Sequence, residues 1–372
     1  MSDIVVRPVL SKKDERAFIK FQWKPYAGDP NFVPPLLMDR RKLIDRKNNP
    51  FYRNAAMELF LAERDGEVVG RVGAIVNDNH NREHKENIGF FGFFECIDDQ
   101  KVADALLKSA MEWLRGRGVT AVRGPASPSV NDEYGLLVEG FDKPPAILMS
   151  YNPPYYPRLL EKIGFRKVKD LYAFEVREET VFTEKLVRVS EMVKKREGVV
   201  FRSLNMKDFD NEVKTIRELY AKGWEHNWGE VPMTEEEFNY VAKDLKAIVN
   251  PDLVVIVEKN GKAVGFGLSL PDLNMILKDN KKGRLIPGIL RILLFKKRIN
   301  RVRIIMLGVL PEYQKTGIAA VLFYETGRRG VDRGYVFGEA SWIIEDNVNM
   351  IRSAALLQGE KTKTYRIYEI AL

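Results

Sequence analysis

The chain has 372 residues, 45% of them hydrophobic, and a formal net charge of +8. That is enough apolar material for a real core, and the length predicts two domains. A single cysteine, Cys96, excludes an internal disulfide framework and fits a reducing compartment, and His80, His84 and His226 lack partner ligands at standard spacings, so no metal is expected.

The N-terminus, MSDIVVRPVL, lacks a charged start followed by an apolar core and predicts no signal peptide. Ile4 to Val9 reads as a short strand, followed by a helical stretch and the proline-rich passage FVPPLLMDRRKL. Met57 to Glu63, a turn at Asp65-Gly66, and Val68 to Val76 predict a hairpin. A third strand, Ile88 to Cys96, leads through Asp98 and Asp99 into a helix that ends at Arg117-Gly118. The strand AVRGPAS follows, then a polar loop holding Asn131, Asp132 and Tyr134. The segment YNPPYYPRLLEKIGF and the strand LYAFEV close this half.

The same order then recurs. ERDGEVVGR at Glu63 matches EKNGKAVGF at Glu258, 195 residues on, and Gly124-Pro125-Ala126-Ser127 matches Gly338-Glu339-Ala340-Ser341. A repeat of this length is a duplicated domain, since solenoid periods are shorter. The expected division is 1–180 and 181–372, with an added helix from Thr183 to Arg196 at the join.

In the second copy the apolar run Ile304 to Leu310 reads as a strand stopped by Pro311. A helix is expected to start near Gly317, with Ile318, Val321 and Leu322 on one face and Arg328, Arg329 and Gly330 as its end. Between them, Gln314, Lys315, Thr316, Gly317, Ile318 and Ala319 leave the first backbone N–H groups uncovered, where the helix dipole favours a pyrophosphate. The first copy has Asp98 and Asp99 here, and two carboxylates repel such a group.

The pattern strand, V-x-P-x-x-Q-x-x-G-x-A, helix resembles the acyl-CoA-binding motif of the GNAT superfamily of N-acyltransferases. With the repeat, the resemblance covers nearly the whole chain. It implies an α/β (α+β) fold of tandem GNAT domains, each a mixed, mostly antiparallel, splayed sheet flanked by helices. It also implies transfer of an acyl group from acetyl-CoA or another acyl-CoA to a primary amine by direct attack, with the cosubstrate held by the second domain. In such enzymes a fourth-strand N–H, here of Val309 or Leu310, stabilises the tetrahedral oxyanion. An amine of pKa near 10.4 is neutral in only about one molecule in a few thousand at pH 7, so a base is useful. Glu339, Glu345 and His226 are the candidates. The usual tyrosine acid, four residues before the glycine of the fourth helix, is replaced by Ala355, with Tyr365 or Tyr368 as substitutes. The loop from Trp224 to Phe238 lines the acceptor site in this family, which implicates Trp224, Asn227 and Trp228. Its second half is explained by a Thr234–Glu237 capping box alone. Asn131 and Tyr134 of the first copy are further substrate-contact candidates.

From Lys278 to Arg303 there are ten cations against Asp279, a net +9 that exceeds the +8 of the whole chain. The rest is therefore near neutral and no nucleic-acid surface is expected. The stretch Leu285 to Phe295 is too short to span a bilayer. Residues 285–303 read either as a packed helix with a solvated basic face or as a peripheral contact with anionic lipid. The latter suggests a long acyl chain or a lipid amine, and NWG-x-x-P and YNPPYY loosely resemble the GNAT-type N-acyltransferases of bacterial sphingolipid synthesis. A small soluble amine is the other acceptor class. The expected location is the cytoplasm, at most peripheral to the inner membrane face. Tandem GNAT folds also resemble Fem-type aminoacyl transferases, and the missing tyrosine leaves a non-catalytic CoA-binding protein as a further reading.

Overall fold

The computed structural model describes residues 3–224 and 227–372, apart from the side chains of Val181 and Lys185. In chain order the elements are β1 (Val5–Pro8), α1 (Lys12–Phe21), α2 (Leu37–Leu43), β2 (Ala55–Arg64), β3 (Glu67–Asn77), α3 (Asp78–His84), β4 (Ile88–Cys96), α4 (Gln100–Arg115), β5 (Ala121–Gly124), β6 (Ala126–Ser127), β7 (Glu133–Tyr134), β8 (Leu136–Glu139), α5 (Tyr156–Ile163) and β9 (Arg166–Arg177). They continue as α6 (Glu178–Val181), α7 (Glu184–Glu197), β10 (Val199–Ser203), α8 (Phe209–Trp224), α9 (Glu235–Leu245), β11 (Val254–Lys259), β12 (Lys262–Pro271), α10 (Asn274–Leu277), α11 (Leu285–Phe295), β13 (Arg301–Val309), α12 (Ile318–Asp332), β14 (Phe337–Ile344), α13 (Val348–Leu356) and β15 (Glu360–Ala371).

These elements form two compact units. The first comprises residues 1–171, 277–294 and 363–372, and the second residues 172–276 and 295–362.

In the first unit the strands run in the order β1-β2-β3-β4-β5, followed by the C-terminal part of β15. All these neighbours are antiparallel except β4 and β5. The β2–β3 hairpin turns at Asp65 and Gly66, both at positive φ, the combination that matches the twist of a tight hairpin. The core packs Phe60, Val72, Phe91, Leu106, Leu107 and Tyr156 between sheet and helices. Each such side chain contributes about 1.5–3 kcal/mol by leaving water.

The second unit repeats the plan as β10-β11-β12-β13-β14, again with one parallel pair, β13 and β14. Its hairpin turns at Asn260 and Gly261, the counterparts of Asp65 and Gly66. Val255, Val257, Leu307, Ile318, Leu322 and Phe323 form its core. Thr234 and Glu237 make the expected capping box on α9, each side chain bonding the other's backbone N–H. One boundary differs from expectation. Helix α12 does not stop at Gly330 but runs to Asp332, and Gly334, at φ +86°, follows its end. Gly330 is buried inside the helix, where the missing side chain costs only helix propensity.

Candidate active site

In the second unit β13 pairs with β12 along its length, from Val302 to Val309. It pairs with β14 only from Arg301 to Ile304. Past Ile304 the two parallel strands part and leave a split. The Leu310 N–H donates to the Val264 carbonyl at 2.9 Å, which corrects the expectation that it is available to an oxyanion. Because bonded and non-bonded pairs alternate along an antiparallel ladder, the next pair, Val309 and Gly265, exchanges no bonds. The Val309 N–H therefore points away from β12, toward the split. Trp224 covers the adjacent backbone: a Cβ built on Gly308 would lie 2.7 Å from its indole. The ring is held by Tyr220 and Phe266, at centroid distances of 5.1 and 5.5 Å.

Residues 310–316 connect β13 to α12. Thr316 organises this turn, its hydroxyl donating to the Tyr313 carbonyl at 2.7 Å and accepting from the Ile318 N–H at 3.3 Å. Gly317 is the N-cap at φ +88° and has no side chain of its own to cap the helix. A residue with a Cβ is strained at that φ and would also approach Val193 of α7 to 3.3 Å. Ala319 and Ala320 leave the first turn of α12 partly open, and Gln314 and Lys315 are exposed beside it. Arg196 donates to the Thr316 carbonyl from α7. A helix N-terminus with free N–H groups, a glycine cap and nearby cations fits a pyrophosphate.

The first unit is built differently at both points. Only Ile97 and Asp98 separate β4 from the N-cap Asp99 of α4. Asp99 accepts from the Lys101 N–H at 2.9 Å and pairs with Arg64 at 2.7 Å, so this helix end is satisfied by its own chain. Its strand gap is closed as well, because β6 lies against β4 at Gly92, where a Cβ would come within 1.8 Å of the Ala126 carbonyl oxygen. Glu95 is buried nearby and accepts hydrogen bonds from Tyr26 at 3.1 Å and Tyr156 at 2.7 Å.

The site residues expected from sequence fall into three groups. Val309, Gln314, Lys315, Thr316, Gly317, Ile318 and Ala319 come together at the split and the turn of the second unit, and Trp224 joins them over Gly308. Asn227 and Trp228 follow in the same loop, half-buried, with the Asn227 N–H donating to the Trp224 carbonyl; His226 lies outside the described residues. Glu345 is half-buried just past the end of β14. Glu339 lies where β13 and β14 are still paired, opposite Arg303. It is buried and accepts from the Ser341 hydroxyl at 3.0 Å, while Arg303 donates to that hydroxyl at 3.1 Å. Tyr365, Tyr368, Asn131 and Tyr134 belong to the first unit. Tyr368 donates to Glu161 at 2.9 Å and Tyr365 is fully buried. Tyr134 pairs with Ala126 between β6 and β7, and the Asn131 N–H donates to Ser129.

Several site residues were not legible beforehand. Ser341 carries a signal, since it closes the repeated Gly-x-Ala-Ser. Arg303 counted only toward charge, and Val193 and Arg196 have no local signature because their role depends on where α7 packs. A small apolar cavity of about 60 Å³ in the second unit, lined by Phe209, Val213, Phe238, Leu268 and Met306 among others, also had none.

Comparison with known proteins bears on the family and the fold. The acetyltransferase (GNAT) family model matches residues 213–355. The chain is 36% identical to the bacterial ceramide synthase of Caulobacter vibrioides, over all of this chain and 98% of that protein. It is 35% identical to Protein YghO of Escherichia coli, over 98% of this chain and 95% of that one. Among solved structures it resembles a tandem GNAT protein from the clavulanic acid biosynthesis pathway, with a TM-score of 0.58, 12% identity, and coverage of 99% and 98%. It also resembles a GCN5-related N-acetyltransferase from Sphaerobacter thermophilus, with a TM-score of 0.55, 14% identity, and coverage of 99% and 95%. At these identities the structures bear on fold alone. With its repeated strand order and a relative above a third identical over the full length, the chain belongs to the GNAT family of acyltransferases, in the tandem-domain form.

Proposed function

We propose that the second unit transfers a long acyl chain from an acyl-CoA thioester to the primary amine of a lipid-like acceptor. The observation that carries the donor half of this reading is the glycine N-cap of α12 at Gly317, which leaves the helix end without a capping side chain of its own, one short turn after a strand that has parted from its parallel neighbour. There the pyrophosphate meets the backbone N–H groups of Gly317, Ala319 and Ala320, the Ile318 N–H being held by Thr316, and Gln314 and Lys315 flank it. The thioester then lies along β13, its carbonyl oxygen at the Val309 N–H.

The neutral amine attacks the thioester carbon, a C–N bond forms, and the oxyanion gathers charge at Val309. Collapse breaks the C–S bond and releases the thiolate. Glu345, half-buried past the end of β14, takes the amine proton directly or through water. Glu339 is a positioning residue, since its carboxylate is engaged by Ser341 beside Arg303. Where the family's tyrosine acid would stand, α13 has the exposed Ala355, so the thiolate takes its proton from water.

The acceptor half is supported by the full-length similarity to a protein named bacterial ceramide synthase, and by the apolar cavity between α8, α9 and the sheet. Met233 and Met306 line that cavity, and unbranched methionines repack readily around an aliphatic chain. An acyl-CoA donor places the reaction in the cytoplasm. The test is release of free CoA thiol, with mass-spectrometric detection of the amide, across acetyl-, octanoyl- and palmitoyl-CoA with a long-chain amino alcohol as acceptor. Palmitoyl-CoA should give the highest kcat/KM. Preference for acetyl-CoA and a soluble amine would overturn the lipid half, and thiol release without amide would overturn the transfer reaction.

A further inference from the structure

Helix α11 has its apolar face turned outward. Ile286, Ile289, Leu290, Leu293 and Leu294 recur at helical spacing on one side, and all are exposed, with Ile286 at 71%, Leu293 at 62% and Leu294 at 73%. The opposite side seats the helix. Gly288 is its one buried residue, and a Cβ there would come within 3.0 Å of Leu36 and 3.1 Å of Asn280. A core-facing helix hides its aliphatic stripe, whereas this one displays it.

The stem before the helix is fixed. Trp23 donates its indole N–H to the Lys281 carbonyl at 2.9 Å, and the Leu37 N–H donates to the Gly283 carbonyl at 2.8 Å. Asn280 donates to the Arg284 carbonyl at 2.8 Å, and Arg291 pairs with Asp279 at 3.4 Å. The stripe is thus a built surface of this fold. Cations frame it at both ends: Lys278, Lys281, Lys282 and Arg284 before it and Lys296, Lys297 and Arg298 after it, all exposed, with no acid inside the helix.

We infer that α11 docks the protein on an anionic phospholipid bilayer, lying in the interface with the aliphatic stripe among the acyl chains and the flanking cations at the headgroups. The charge selects this occupant. An apolar stripe meant for a second copy of the chain would bring seven like-charged side chains toward the same seven on the partner, whereas an anionic headgroup layer complements them. Among the described residues no helix is long and apolar enough to cross a membrane, so the contact is interfacial. The inference rests on α11 alone and stands apart from the proposed chemistry.

The test is flotation of the full chain with phosphatidylcholine vesicles, with and without phosphatidylglycerol. The unaltered protein should float with the anionic vesicles and progressively less as salt rises. Lys296→Glu, Lys297→Glu and Arg298→Glu together should weaken this binding at least about a hundredfold, at about fivefold per cation lost and more for the repulsive charges gained. Ile286→Ser with Leu290→Ser and Leu293→Ser should abolish it with little change in melting temperature, because those side chains are more than half exposed in the free protein. Failure of the unaltered chain to float at low salt would overturn the inference, and so would a dimer that the serine variant converts to monomer without any lipid binding. Loss of flotation with retained turnover of soluble short-chain substrates would confirm the docking surface and leave the catalytic reading intact.

Discussion

Phe93 donates its backbone N–H to the Ser127 hydroxyl at 2.8 Å, and this bond ties β6 across the strand gap of the first unit at the level where β13 and β14 of the second have separated. The two repeats share one strand order, yet only one keeps a cleft. Gly92 makes the closure possible. Gly92→Ala should force β6 away and lower the stability of the first unit by roughly 1–3 kcal/mol, the usual cost of overpacking, while leaving acyl-CoA affinity within about twofold. A thermal scan paired with a binding titration reads both. A variant of unchanged melting temperature would show that the gap is not closed by this contact.

Glu95 gives the first unit a pH signature. Burial pushes its carboxyl up to about 7, against the opposing pull of Arg71, Tyr156 and Tyr26. Over the window from about 4.3, the unfolded value, to about 7, the native state binds the proton that the unfolded chain has lost. Stability therefore falls as pH rises through that window. Glu95→Gln removes this contribution, so the difference in melting temperature between variant and parent should move in favour of the variant from about pH 5 to about pH 8. Parallel pH profiles would contradict it.

Trp224 sits on Gly308, so its removal should be felt at the split rather than in the core. Trp224→Ala should raise KM for the long-chain donor by roughly tenfold, about 1.4 kcal/mol, and change kcat less. An effect confined to stability would make the ring a packing element only.

For Glu345, the amide variant Glu345→Gln should lower kcat about a hundredfold near neutral pH, in the range of a lost general base. The deficit should shrink as pH approaches the pKa of the amine, because the acceptor then deprotonates without help. A loss that is constant with pH would assign Glu345 a positioning role.

How much of this was legible in the sequence varies with the range of the forces involved. The β2–β3 and β11–β12 hairpins were readable because Asp65-Gly66 and Asn260-Gly261 force tight turns between apolar runs, and the α12 turn was readable because strand, proline, glycine and helix follow within a few residues. The availability of the Val309 N–H rather than the Leu310 N–H depends on ladder register, which a single strand does not encode. The end of α12 was misplaced because Gly330 looks like a stop, while burial of that helix pays for continuing it past the glycine. Tyr365 and Tyr368 looked like replacement acids because they follow α13 closely, yet residues 363–372 belong to the first unit, a consequence of long-range pairing such as Tyr368 with Gly124. The outward aliphatic stripe of α11 could not be told from an inward one, since periodicity fixes a face and not the direction it points.

The most direct measurement of the central claim is calorimetric titration of a long-chain acyl-CoA into the unaltered chain and into Lys315→Glu and Gly317→Glu. Lys315 is exposed beside the first turn of α12, so reversing its charge tests the electrostatics without touching the packing. Gly317→Glu puts bulk and charge on the cap itself and also meets Val193, so a lower melting temperature is expected there as well. The account predicts a stoichiometry near one for the unaltered chain, about tenfold weaker binding for Lys315→Glu, and no measurable binding for Gly317→Glu. Two equal sites, or affinity that neither substitution changes, would contradict it.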